Sequence, residues 1–402
     1  MRNSLLLIAL FLFTQCRNDK VVKVDANKFF EIDYENILKY KKTINLSDIA
    51  LDVRYISLET RKNALICRKP KYFFSGKFIF VNNLDHILVY DYSGKFIRQI
   101  GAPGRGPNEI IFISTISVID KEQVIAVQTS GSRKLLFFSF DGKLIKSIPL
   151  PGNEFDIHVL NMNKFLLNYR CIIGNEDYLY VLSNESWDTI STINNHFKWV
   201  NNTDLSGRLG YSVFRPFFNY KDKVRFKSMY NDTVFTVVDD KIEPVYFINL
   251  GKYRLPNELR PESPQSALRF RKGNERQNYY FASVMESGEI MFITTENYTA
   301  DIDKYIIFNS NTTEGSLLVN ESNETSGLIN DWDGGADFWP EGNVSNNEIF
   351  MPLSSLTLKN MLKERAFSNA TIRFPEKKKA LSEMIEKLNE TDNPVLMLVK
   401  LK

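Results

Sequence analysis

From Gly76 onward the chain alternates apolar and polar residues in short runs. "GKFIFVNN", "HILVYDYSGKFIRQIG" and "KLLFFSFDGKLIKSIPL" carry apolar side chains at every second position, the period of a strand with two distinct faces. Turn signals separate the runs. They are "YSGK" at 92–95 and "FDGK" at 140–143, where glycine supplies the positive φ of a tight hairpin. Further hairpins are expected in "NDTVFTVVDDKIEPVYFINL", turning at Asp239 and Asp240, and in "DKYIIFNSNTTEGSLLV". Four strands repeating every ~40–50 residues predict the blades of a β-propeller. These fall near residues 65–100, 111–150, 154–193, 216–250 and 278–319.

A sixth blade is expected from what remains. "NNEIFMPLSS" and the terminal "NPVLMLVKLK" each supply a strand, and the early run "DVRYISLE" completes the sheet. Closing the ring with both chain ends removes an exposed sheet edge. Between the two late strands lies a helical insertion, about 354–390, with helices at 354–366 and 375–390. The second opens on Pro375 and sets Leu381, Met384, Ile385 and Leu388 on one face, as an amphipathic helix requires. The fold class is therefore all-β, a six-bladed β-propeller with a short C-terminal helical insertion before the closing strand.

Composition narrows the function classes. The 402 residues are 43% hydrophobic and include 30 Phe and 18 Tyr, enough for a large core rich in strand-forming aromatics. Net charge is +3, without the basic excess of a nucleic-acid binder, so no nucleic-acid partner is expected. Cys16, Cys67 and Cys171 form no CxxC pair, which argues against structural zinc. Whether Cys67 and Cys171 are bonded stays open, since spacing alone does not place their Cα atoms. His86, His158 and His196 are far apart and are expected to be structural or surface residues.

The N-terminus reads as an address. Arg2 precedes an apolar run from Leu5 to Phe13. That run is too short for a bilayer span of ~20 residues and suits a signal peptide. Cys16 follows, and the chain turns polar at "RNDKVVKVD". This resembles the lipobox of bacterial lipoproteins, which implies cleavage before Cys16 and acylation of its thiol. Residues 1–15 are then a signal peptide, 16–43 a lipidated cysteine with a polar tether, and 44–402 the propeller. The implied location is the cell envelope, anchored to a membrane by lipid, on the outer membrane, with the periplasmic or surface side open.

"INLSDIALDVRYISLET", "DYSGKFIRQIGAPGRGPNEI", "MYNDTVFTVVDDKIEP", "NDWDGGADFWP" and "NPVLMLVKLK" resemble, in matching order from Ile44 to Lys402, the six-bladed β-propeller lipoproteins of Bacteroidetes. The resemblance implies an envelope propeller and no particular reaction.

In a propeller the connectors between blades share one face, at the channel mouth. The connectors predicted here carry Arg105 and Glu109; Arg208, Tyr211 and Arg215; Arg254, Arg260, Arg269, Arg271 and Arg276; and the motif "INDWDGGADFWP" at 329–340. Guanidinium groups pair with carboxylate, sulfate or phosphate, so Arg105, Glu109, Tyr211, Arg215, Arg269 and Arg271 are candidate ligand-binding residues. Trp332 and Trp339 join them, either stacking on sugar rings or anchoring the core. Asp331, Asp333 and Asp337 either cap backbone amides in a turn or hold calcium; an EF-hand is excluded, because the third acid is displaced and no helices flank the loop. The leading expectation is a propeller that binds a ligand or partner, a glycan or a peptide. The alternatives are a calcium-dependent hydrolase or lactonase and an envelope scaffold docking through its helices. No Ser–His–Asp ordering, HExxH or paired-Cys motif is present, which leaves the chain without a familiar hydrolase signature.

Overall fold

The computed structural model describes residues 29–106, 108–152, 155–169, 176–196, 217–228, 231–256, 277–297 and 303–402. Six sheets, each with four antiparallel strands, form the blades. Blade 1 is Lys71–Phe74, Phe78–Asn82, Ile87–Asp91 and Phe96–Ile100. Blades 2 to 5 span 112–149, 155–194, 217–249 and 280–318. Blade 6 takes Gly342–Ser345, Glu348–Leu353 and Val395–Leu401 from the C-terminal end. Its outer strand is β3 (Ala50–Ser57), which pairs antiparallel with Val395–Leu401. The ring closes with both chain ends, as the pattern predicted.

Every blade buries both faces between its neighbours. Central strands are therefore apolar almost throughout, as in Lys134–Ser139 ("KLLFFS"), whereas the outer Leu144–Pro149 ("LIKSIP") exposes every second residue. Phe137, Phe155 and Phe165 fill the seam between blades 2 and 3. Tyr180, Phe226 and Phe235 fill the next. Each such side chain contributes about 1.5–3 kcal/mol by leaving water.

The predicted hairpin turns are present. Gly94 and Gly142 have φ +84° and +90°, and Asp239 and Asp240 are also left-handed. Gly94 does more than turn the chain. A Cβ there would sit 2.0 Å from the carbonyl oxygen of Ser57 in blade 6, and Glu59 N–H donates to its carbonyl at 2.8 Å. Gly94→Ala is expected to cost about 2 kcal/mol or more, read as a lower urea midpoint at unchanged slope. A midpoint equal to wild type would remove Gly94 from the seam.

One boundary moves. Residues 30–42, expected within the polar tether, form a belt on the outside of the ring. β1 (Phe30–Asp33) adds in parallel to the outer strand of blade 4, and β2 (Lys41–Lys42) to that of blade 5. Helix α1 (Tyr34–Ile37) links them and buries Tyr34 and Ile37. The belt covers two unpaired sheet edges.

The insertion holds helices α3 (Ser355–Lys363), α4 (Arg365–Asn369) and α5 (Pro375–Lys387), after the short α2 (Leu46–Ile49) near the N-terminus. Pro375 opens α5, and Leu381, Ile385 and Leu388 enter the core shared by blades 5 and 6. Among the described residues no helix is long and apolar enough to cross a membrane.

Candidate functional site

The motif at 329–340 lies in the connector from blade 5 to blade 6, beside the helical insertion. Its carboxylates face separate donors. Asp331 accepts from Ser47 N–H at 2.9 Å and Ser47 Oγ–H at 2.5 Å, and pairs with Arg373 Nε at 2.9 Å. Asp333 accepts from Asn330 Nδ2, Gly335 N–H and the Tyr55 hydroxyl at 2.9–3.2 Å, and burial pushes its carboxyl above the usual carboxylate range. Asp337 accepts from Asn330 N–H at 3.2 Å. As calcium ligands the three do not fit. Both oxygens of Asp331 and one oxygen each of Asp333 and Asp337 accept from N–H and O–H groups, and among the described residues no three His, Cys, Asp or Glu side chains converge as a metal site.

The tryptophans are anchors. Trp332 is buried and packs on Phe374 at 4.4 Å between ring centres. Trp339 donates Nε1–H to Thr294 Oγ1 at 2.8 Å and lies 4.7 Å from the Tyr305 ring. Trp332 is enclosed in the core, while Trp339 is partly buried against it. Arg373 N–H and Phe374 N–H donate to the carbonyls of Asp331 and Trp332. The stretch is thus the seat on which the insertion rests.

Of the other candidates, Tyr211, Arg215, Arg269 and Arg271 lie outside the described residues, as do Arg208, Arg260, Arg276, Cys16 and Cys171. Cys67 is a free, half-buried thiol. Glu109 turns inward to its own connector and accepts from Gly106 N–H at 2.7 Å. Arg254 pairs with the buried Asp232 at 3.2 Å, beside Lys227, whose ammonium is pushed down by burial. Arg105 is exposed and makes no ion pair among the described residues.

Around Arg105 three loops form one surface. They are the connector into blade 1, the hairpin turn at 83–86 and the connector from blade 1 to blade 2, all on the mouth face. Backbone and amide bonds join them. Asn83 Nδ2 donates to Leu65 O at 3.0 Å, Cys67 N–H to Asn83 Oδ1 at 2.6 Å, and Ile113 N–H to Leu84 O at 2.6 Å. Eleven large apolar side chains are exposed among the described residues, and four of them cluster here. They are Leu65 (53%), Leu84 (48%), Ile111 (45%) and Phe112 (45%). Residues 61–71 ("RKNALICRKPK") hold five basic side chains and no acidic one. Arg68 and Lys69 are exposed and, among the described residues, unpaired. The local acids are engaged, Asp85 with His86 Nδ1 at 2.5 Å and Glu109 as above. Sequence reasoning missed this patch; the charge run at 61–71 was its available signal.

His158 behaves as a structural residue. It packs on Phe217 at 5.2 Å, and burial pushes its pKa down to about 4. The unfolded chain takes up a proton near the ordinary value of 6.5 that the folded chain refuses until about pH 4, so stability falls as pH drops through that window. The loss is expected to be about 2 kcal/mol between pH 7.5 and 5. His158→Phe should remove that part of the slope in urea titrations at both pH values. An unaltered slope would show that the imidazole is solvated.

The architecture and the mouth-face loops define a six-bladed β-propeller with a closed ring. A family model described as a domain of unknown function, DUF4934, matches residues 29–400, and the chain belongs to that family. The matched span begins where the belt begins. A solved structure from Bacteroides fragilis, of a protein named for inferred export, is 18% identical. The match covers 92% of this chain and 99% of that one, with a TM-score of 0.70. At that identity the likeness shows the fold. A member of the DUF4221 family from Bacteroides vulgatus is 9% identical over 88% of this chain and 97% of its own, with a TM-score of 0.46. No functionally curated protein matches.

Proposed function

We propose that this chain is an exported envelope lipoprotein of a Bacteroidetes bacterium that binds a partner through the mouth face of blades 1 and 2. The exposed cluster of Leu65, Leu84, Ile111 and Phe112 beside unpaired cations carries this reading. Contiguous apolar surface on a soluble domain marks an interaction site. The run from Leu5 to Phe13 ahead of Cys16 and the name of the Bacteroides fragilis neighbour support export. Cys16 carries the anchor; two or more acyl chains hold a protein stably where one does not. The role is binding rather than catalysis.

Two experiments test it. Wild type should fractionate with membranes and incorporate labelled fatty acid, and Cys16→Ser should do neither; a labelled Cys16→Ser would refute the anchor. A photo-crosslinking residue at Leu84 should capture one discrete partner in intact cells, while one at exposed Ile145 on the rim of blade 2 should not. Equal capture at both positions would refute the binding face.

A further inference from the structure

We infer that the patch over blades 1 and 2 takes an acidic polypeptide segment bearing large apolar side chains. This rests on the proposed binding face and narrows its occupant. Charge complementarity comes first. Arg68, Lys69 and Arg105 are exposed and unpaired among the described residues, whereas Asp85 and Glu109 are held by their own loops. An occupant with carboxylates gains these cations without displacing an existing pair.

The apolar part is built to be presented. Leu84 sits in the left-handed region at φ +73°, which a leucine rarely adopts. The turn nonetheless projects its side chain into solvent. Leu84 O is fixed by Ile113 N–H, and Leu65 O by Asn83. Strain kept in a surface turn together with an exposed apolar side chain points to recognition.

An anionic bilayer is the rival occupant of an apolar and basic surface, and vesicle sedimentation separates it from a peptide.

The test uses the chain from residue 17 onward, which contains every described element. The probe is a fluorescent twelve-residue peptide alternating glutamate with leucine and phenylalanine. Its control carries lysine for glutamate. The acidic peptide should bind and the basic one should not, with affinity falling as salt rises. Arg68→Glu with Lys69→Glu should weaken acidic-peptide binding at least tenfold and confer binding of the basic peptide. Leu84→Asn should weaken binding while leaving the melting temperature unchanged, because asparagine tolerates left-handed backbone.

Equal binding of both peptides, or binding of neither, overturns the inference. So does sedimentation with phosphatidylglycerol vesicles in the absence of peptide binding, which would make the patch a membrane contact. If Leu84 captures a partner in cells but the charge exchange has no effect, the binding face stands and the acidic class falls.

Discussion

Trp332→Ala is expected to lower unfolding free energy by about 3–5 kcal/mol, the range for emptying a buried tryptophan site. Trp332 is 6% exposed and packs against Phe374 at the start of α5. Its backbone carbonyl also receives Phe374 N–H. Removing the indole leaves a cavity where the connector and insertion meet. Amide exchange in α3 and α5 should therefore rise more than exchange in blade 3. Trp332→Phe should cost far less. The indole Nε1–H finds no acceptor among the described residues, so phenylalanine removes an unpaired donor while filling much of the space. Urea titrations of both variants separate the two effects. A loss below about 1 kcal/mol for Trp332→Ala would mean that the insertion is held without this anchor.

The strands were legible because their physics is local. Alternation, apolar central strands and glycine turns act within a few residues, so "HILVYDYSGKFIRQIG" declares its hairpin without tertiary information. The closing strand "NPVLMLVKLK" was equally clear, as an apolar run too short for a buried helix. The belt was not. "KFFEIDYENILKYKKT" is dense in charge because β1 and β2 pair on one side only and face water on the other, as outer edges do. Its signal lies in the partner strands, far away in sequence.

The site shows the same divide. The spacing of Asp331, Asp333 and Asp337 allowed either a metal loop or a capped turn. Only the placement of Ser47, Arg373 and Tyr55, from distant parts of the chain, shows where those oxygens point. Leu65, Leu84, Ile111 and Phe112 are ordinary core residues in a sequence. They become a surface only once the loops are folded onto the mouth face. Gly94 and Pro375 were readable for the opposite reason, since their constraints are carried by their own backbone.

A buried amide with several partners sits at the seam where the ring closes. Asn393, just before the closing strand, is 4% exposed. Its Nδ2 donates to Glu59 O at 2.9 Å and Ala64 O at 2.8 Å, and its Oδ1 accepts from Ile66 N–H at 3.0 Å. These bonds tie the C-terminal strand to the connector that enters blade 1. Asn393→Ala strands one N–H and weakens the satisfaction of two carbonyls, of which Ala64 O keeps the Tyr90 hydroxyl at 3.1 Å. Each buried group left unpaired costs about 1–3 kcal/mol, so a total loss of about 3–5 kcal/mol is expected. Asn393→Asp keeps the acceptor for Ile66 and loses both donors, turning a carboxylate toward two carbonyls. It should be at least as damaging at neutral pH and should recover partly in acid, where a protonated carboxyl can donate once. Amide exchange at Ile66 should rise in the alanine variant before global unfolding, since its N–H loses the Asn393 acceptor. Because Leu65 lies in the same segment, the variant should also weaken acidic-peptide binding at temperatures where the blades remain folded. Full stability with intact binding would show that the seam between blades 6 and 1 is held by its apolar core of Phe350, Leu396, Tyr72 and Tyr90 and that the amide only decorates it.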